Sequence, residues 1–156
     1  MNVALRPMRQ SEFPDYLAAA IELYARDMVE NAGLDEEVAR RKSAADHERL
    51  FPAGLETPGL TVLVIEADGE AVGHVLLGEQ ERHGSSHAFL YDIVVDPAHR
   101  GEGLGRKAME LIEGEACARG HDRIELNVFG GNKVARSLYR SLGYRETFVT
   151  MAKGIG

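Results

Sequence analysis

From Tyr91 to Arg106 the chain reads YDIVVDPAHRGEGLGR, with Gly101, Gly103 and Gly105 spaced two apart behind Arg100. Glycines lack the Cβ that would hold a bulky anion away from the backbone. The residues that follow have the pattern of an amphipathic helix. The loop would therefore offer unpaired backbone N–H groups at the positive end of a helix dipole. Arg100 and Arg106 add full charges. The chemistry that suits these residues is the binding of a phosphate or pyrophosphate, and a glycine-rich turn without a ligand is the alternative. Two other phosphate loops do not fit. A P-loop needs Gly-Lys-Ser/Thr, whereas Gly105 is followed by Arg106-Lys107-Ala108. A dinucleotide fingerprint needs a G-x-G-x-x-G spacing early in a strand–helix–strand series, and here the glycines alternate late in the chain.

A second constellation lies downstream, in NVFGGNKVARSLYRSLGY. Asn132, Ala135, Leu138, Tyr139, Gly143 and Tyr144 follow the pattern N-x-x-A-x-x-L-Y-x-x-x-G-[FY]. On a helix, Asn132, Ala135 and Tyr139 share one face. A small residue between two polar ones leaves room for a ligand along that face. The alternative is a packing role for Tyr139.

Together, in this order, the two motifs resemble the GCN5-related N-acetyltransferase (GNAT) superfamily, in an uncharacterised bacterial subgroup. The similarity runs over about residues 3 to 152 and is most specific over 88–144. It implies an α/β fold: a single mixed, mostly antiparallel sheet with helices on both faces and a central parallel strand pair that splays apart. It implies acetyl-CoA as co-substrate, with no metal. Acetyl-CoA would lie between the strand ending at Val95 and the strand Ile124–Val128. Its pantetheine would pair with the backbone of Val94 and Val95, near Asn127, Asn132 and Ala135. Its pyrophosphate would rest on Arg100, Gly101, Gly103, Leu104, Gly105 and Arg106. Tyr139 would protonate the departing thiolate. The implied activity is direct transfer of acetyl to an amine of a small molecule or protein. A catalytically silent acyl-CoA-binding sensor or interaction module is the rival.

That reaction needs a base to neutralise the amine. Asp92 is the first choice, against a structural role at the strand end. Tyr91, His74, Glu79 and His87 are further options, as is removal of the proton through ordered water.

The elements that must position these groups follow from periodicity and turn chemistry. The pattern predicts a strand over 2–6, a helix over 11–31 with Leu17, Ile21, Tyr24 and Met28 inward, and a helix over 35–50 with Val38, Ala45 and Leu50 inward. It then predicts strands over 61–67 and 71–80 around Asp68-Gly69, and a strand over 87–95 after a turn at 83–86. A helix over 103–119 should bury Leu104, Ala108, Leu111, Ile112 and Ala116. A strand over 124–128, a helix over 132–142 and a last strand over 144–151 complete the order. Strand–helix–strand from 87 to 128 implies a parallel pair with a right-handed crossover.

The 156 residues fit one domain spanning 1–156, and 44% hydrophobic content suits a folded core. A formal net charge of −7 argues against nucleic acid as partner and is compatible with a cationic substrate. No stretch is long and apolar enough for a membrane helix, and the single cysteine, Cys117, permits no internal disulfide. A cytoplasmic location is expected. A homodimer is an expectation from the resemblance alone.

Overall fold

The computed structural model describes all 156 residues. Five strands form one sheet in the order β1 (Val3–Pro7), β2 (Leu60–Ala67), β3 (Glu70–Arg82), β4 (Ser85–Val95) and β5 (Ile124–Leu126). All neighbours are antiparallel except β4 and β5. Two tight turns set the register of the central strands. Asp68 and Gly69 have φ of 51° and 85°, and His83 and Gly84 have 52° and 77°. Positive φ at both central residues matches the right-handed twist of the paired strands.

Helices cover both faces. On one lie α1 (Phe13–Ala32) and α2 (Glu36–Leu50), on the other α3 (Leu104–Ala118), with α4 (Lys133–Ser141) beside it. Leu104, Ala108, Met109, Ile112 and Ala116 of α3 pack on Leu63, Ile65, Val75, Leu77, Ala88 and Leu90. Met109 takes the inward place expected of Leu111, which is 38% exposed. The opposite face buries Tyr16 and Ala20 of α1 with Phe51, Val62 and Leu76. The inward stripe of α1 buries Met28 as expected, but its first half is turned by about one residue, with Tyr16 and Ala20 buried beside partly buried Leu17 and Ile21. The same holds for α2, where Ala39 and Ser43 are buried and Val38 is exposed. Small residues win these places because α1 and α2 approach closely. Ser43 Oγ donates to the carbonyl of Ile21 at 2.7 Å.

Two expected strands differ. β5 ends at Leu126 instead of running to residue 128, and residues 144–151 form no strand. Their alternating pattern has no neighbouring strand to pair with, and Phe148, Val149 and Met151 stand exposed.

Candidate active site

The register of β3 against β4 shifts between Leu76 and Leu77. Leu76 lies opposite Asp92 and Leu77 opposite Leu90, so Tyr91 has no partner. Such a bulge turns two successive side chains to the same side and bends the strand. Phe89 and Tyr91 rings meet edge-on at 4.8 Å on the α1 side of the sheet, and Asp92 faces that side as well. Below the bulge β4 pairs with β5 only through Ala88–Leu90 and Ile124–Leu126. Above it, Val94 and Val95 keep their β3 partners His74 and Gly73 but have no partner on the other edge. The early end of β5 has the same cause, since a bent β4 carries the ladder away. Asn127 leaves β5 exposed at the mouth of the resulting gap.

At the top of this gap β4 runs through a 3₁₀ turn (Pro97–His99) into the glycine loop. Gly103 is the N-cap of α3 with φ 77° and ψ 11°, a left-handed conformation that favours glycine, and no side chain caps the helix. The first helical hydrogen bond runs from Lys107 N–H to Gly103 O at 3.2 Å, so the amides of Leu104, Gly105 and Arg106 lie ahead of the ladder. Arg100 is exposed, and its Nε donates to Val95 O at 3.2 Å, which ties the loop to the strand end. Gly101 is exposed. The Leu104 side chain is buried in the core, so only its backbone faces the loop. Arg106 is exposed and hydrogen-bonds Ser141 Oγ, joining α3 to α4.

The second motif lies on and around α4. The Asn132 side chain accepts from Ala135 N–H at 3.2 Å and caps the helix. Part of its place in the motif therefore has a structural reason. Ala135 is half-buried. Tyr139 packs against the main core, with its ring 5.8 Å from that of Tyr144. Burial, and then the negative charge of Asp92, push the Tyr139 phenol above its ordinary pKa.

The options for a base separate cleanly. Glu79 pairs with His121 Nε2 at 3.2 Å, and His87, its side chain only 15% exposed, pairs with Glu125 at 3.3 Å. Both lie toward the β3–β4 turn, away from the gap. Tyr91 covers Gly78 and meets Gln80 Nε2 at 3.4 Å. Asp92 and His74 alone come together, with Nε2 to Oδ2 at 3.8 Å.

One contact was not legible in the sequence. Tyr16 is buried beside His74, with ring centroids 4.7 Å apart and planes at 80°. Burial and then Asp92 raise its pKa too. An open groove of about 350 Å³ is lined by Asp27, Glu30 and Asn31 of α1 and by Gly131, Asn132 and Lys133. Asp27 is pushed above the usual carboxylate range by burial, then by Asp92 and Glu30. Asp92 thus acts electrostatically on Tyr139, Tyr16 and Asp27 alike.

The sequence pattern of the Acetyltransferase (GNAT) family matches residues 17–144. Over 154 residues the chain is 31% identical to the uncharacterized N-acetyltransferase YycN of Bacillus subtilis (strain 168), covering 98% of this chain and 99% of that protein. The uncharacterized N-acetyltransferase YdgE of the same organism is 29% identical over 154 residues, 98% of either chain. The crystal structure of YycN superposes with a TM-score of 0.93 at 30% identity, covering 99% of both chains. A GCN5-related N-acetyltransferase from Ralstonia eutropha JMP134 shares the fold with a TM-score of 0.73 at 22% identity over 99% of both. The chain therefore belongs to the GNAT family of N-acetyltransferases, whose members draw their acetyl group from acetyl-CoA.

Proposed function

We propose that residues 1–156 act as one domain that transfers acetyl from acetyl-CoA directly to a primary amine of a cationic acceptor, in the cytoplasm. The observation that carries this reading is a convergence around one gap in the sheet. The uncapped start of α3 and the unpaired edge of Val94 and Val95 adjoin it, and the Tyr139 phenol feels the charge of Asp92 on the same strand. In this reading the backbone amides of Gly101, Gly103, Leu104, Gly105 and Arg106, with the charge of Arg100, hold the pyrophosphate. Val94 and Val95 pair with the pantetheine amides, while Asn127, Asn132 and Ala135 border its arm.

Asp92 takes the first proton from the acceptor ammonium. The free amine attacks the thioester carbonyl, and a backbone N–H at Val94 or Val95 stabilises the oxyanion. The C–S bond then breaks, sulfur keeps the electron pair and takes the Tyr139 proton, and the second amine proton restores the phenol. A raised Tyr139 pKa suits this role, because the phenol stays protonated at neutral pH. The carboxylates of Asp27 and Glu30 in the neighbouring groove support a cationic acceptor. A homodimer would have an apolar surface in exposed Phe148, Val149 and Met151, and sedimentation at rising concentration tests it.

The experiment is calorimetric titration with acetyl-CoA, with CoA, NAD and ATP as controls. Selective binding of acetyl-CoA and CoA is expected, and Gly103→Glu should abolish it through bulk and repulsion at the pyrophosphate. Wild-type affinity in that variant would overturn the assignment of the loop. Binding without acetyl transfer to any amine would favour the silent sensor.

A further inference from the structure

Two buried side-chain polar atoms have no hydrogen-bond partner in this protein, Tyr16 Oη and His74 Nε2. Buried polar groups are nearly always satisfied, and an orphan points to strain, catalysis or an exchanging partner. These two belong to one cluster. The Tyr16 ring meets the His74 ring at 4.7 Å and 80°, and His74 Nε2 stands 3.8 Å from Asp92 Oδ2. That distance exceeds a hydrogen bond, and a small turn of the partly exposed Asp92 carboxylate would close it. Asp92 is the outer member, with its side chain 43% exposed, and His74 the inner one at 14%.

We infer that His74 is a positioning and relay residue behind Asp92: it receives the proton that Asp92 takes from the acceptor ammonium, and Tyr16 holds the imidazole in place for it. This rests on the proposed acetyl transfer. The chemistry gives the pair a reason. A carboxylate is a weaker base than an imidazole, so handing the proton on to the ring leaves Asp92 free to act again. The step balances. The ammonium N–H bond breaks and Asp92 gains the proton. Asp92 then passes it to His74 Nε2, and the imidazolium releases it to water after product leaves. The groups facing His74 are Asp92 from β4 and the Tyr16 ring from α1. Asp27 and Tyr139 act on the pair through Asp92, and the β2 residue opposite, Val64, does not titrate.

The test begins with NMR titration of the histidine ring signals, His74 being assigned by its loss in His74→Gln. Removing the Asp92 charge in Asp92→Asn should lower the His74 midpoint by about one pH unit, since an opposite charge favours the protonated ring. An unchanged midpoint would overturn the pair, whether or not an acceptor is known. In the second arm, wild type and His74→Gln are assayed with acetyl-CoA and spermidine. His74→Gln should lower kcat by ~10²-fold, leave KM for acetyl-CoA unchanged and remove the acidic limb of the kcat/KM profile. Retention of both rate and limb would overturn the relay. Should His74→Gln fail to fold, His74 is assigned instead by nuclear Overhauser contacts between its ring and that of Tyr16, and the Asp92→Asn titration still decides the coupling. A wild-type protein that binds no acetyl-CoA would instead remove the proposed function and leave the NMR result standing.

Discussion

At the scale of single residues, the proposed general acid is the Tyr139 hydroxyl. Burial and the field of Asp92 raise its pKa, so its proton is held past the ordinary phenol value of 10.0. A general acid that stays protonated should show no loss of turnover through its own ionisation below about pH 10. Tyr139→Phe should lower turnover by ~10²-fold or more with little loss of acetyl-CoA affinity, read by steady-state kinetics beside calorimetry. An unchanged rate would hand the acid role to water. Asn132 carries a different lesson. Its spacing to Ala135 and Tyr139 suggests a ligand face, yet its side chain is engaged in capping α4. A motif residue can thus hold its place for the helix as well as for the substrate.

At the scale of elements, the β4 bulge is the feature on which the site depends. It aims Asp92 toward α1, ends the β4–β5 ladder and opens the gap. Two glycines of β3 frame it unequally. A Cβ on Gly73 would lie 2.2 Å from the Val94 carbonyl oxygen, a backbone atom that cannot yield without parting the strands. A Cβ on Gly78 would meet Tyr91 Cε2 at 2.4 Å, on a ring that can swing into solvent. Gly73→Ala should therefore destabilise by ~1–3 kcal/mol in urea unfolding and weaken acetyl-CoA binding. Gly78→Ala should cost clearly less. Equal costs would mean that β3 and β4 adjust freely beside the gap.

For the whole molecule, the proposed choice of acceptor rests on charge. The net charge of −7 is spread widely, but Asp27, Glu30 and Asp92 concentrate part of it beside the gap. Asp27→Asn with Glu30→Gln should raise KM for spermidine several-fold and leave KM for acetyl-CoA unchanged. The wild-type preference for cationic amines should weaken with added salt. The sign with pH follows from Asp27. Its raised pKa means it loses its charge at a higher pH than an ordinary carboxylate as the solution is acidified. Affinity for the cation should fall correspondingly early, and the double variant should lack that part of the fall.

Local patterns in the sequence were sufficient for most of the elements, though not for a last strand over 144–151, and for picking out the two motifs. The Asp68-Gly69 and His83-Gly84 turns, the glycine loop before α3 and the Asn132–Tyr144 block each depend on neighbours within a dozen residues, so their chemistry is written in short spacings. The inward stripes of α1 and α2 turned by a residue because close helix packing selected Ala20, Ala39 and Ser43 over larger neighbours. The segment after Gly143 alternates like a strand but meets no edge. Which of the candidate bases meet, and what they meet, was decided by tertiary structure. Tyr16, Asp27, His74 and Asp92 come from three separate elements, and only the bulge and the packing of α1 on the sheet bring them together. A spacing pattern records what one segment does. It does not record which distant side chains a bent strand will face.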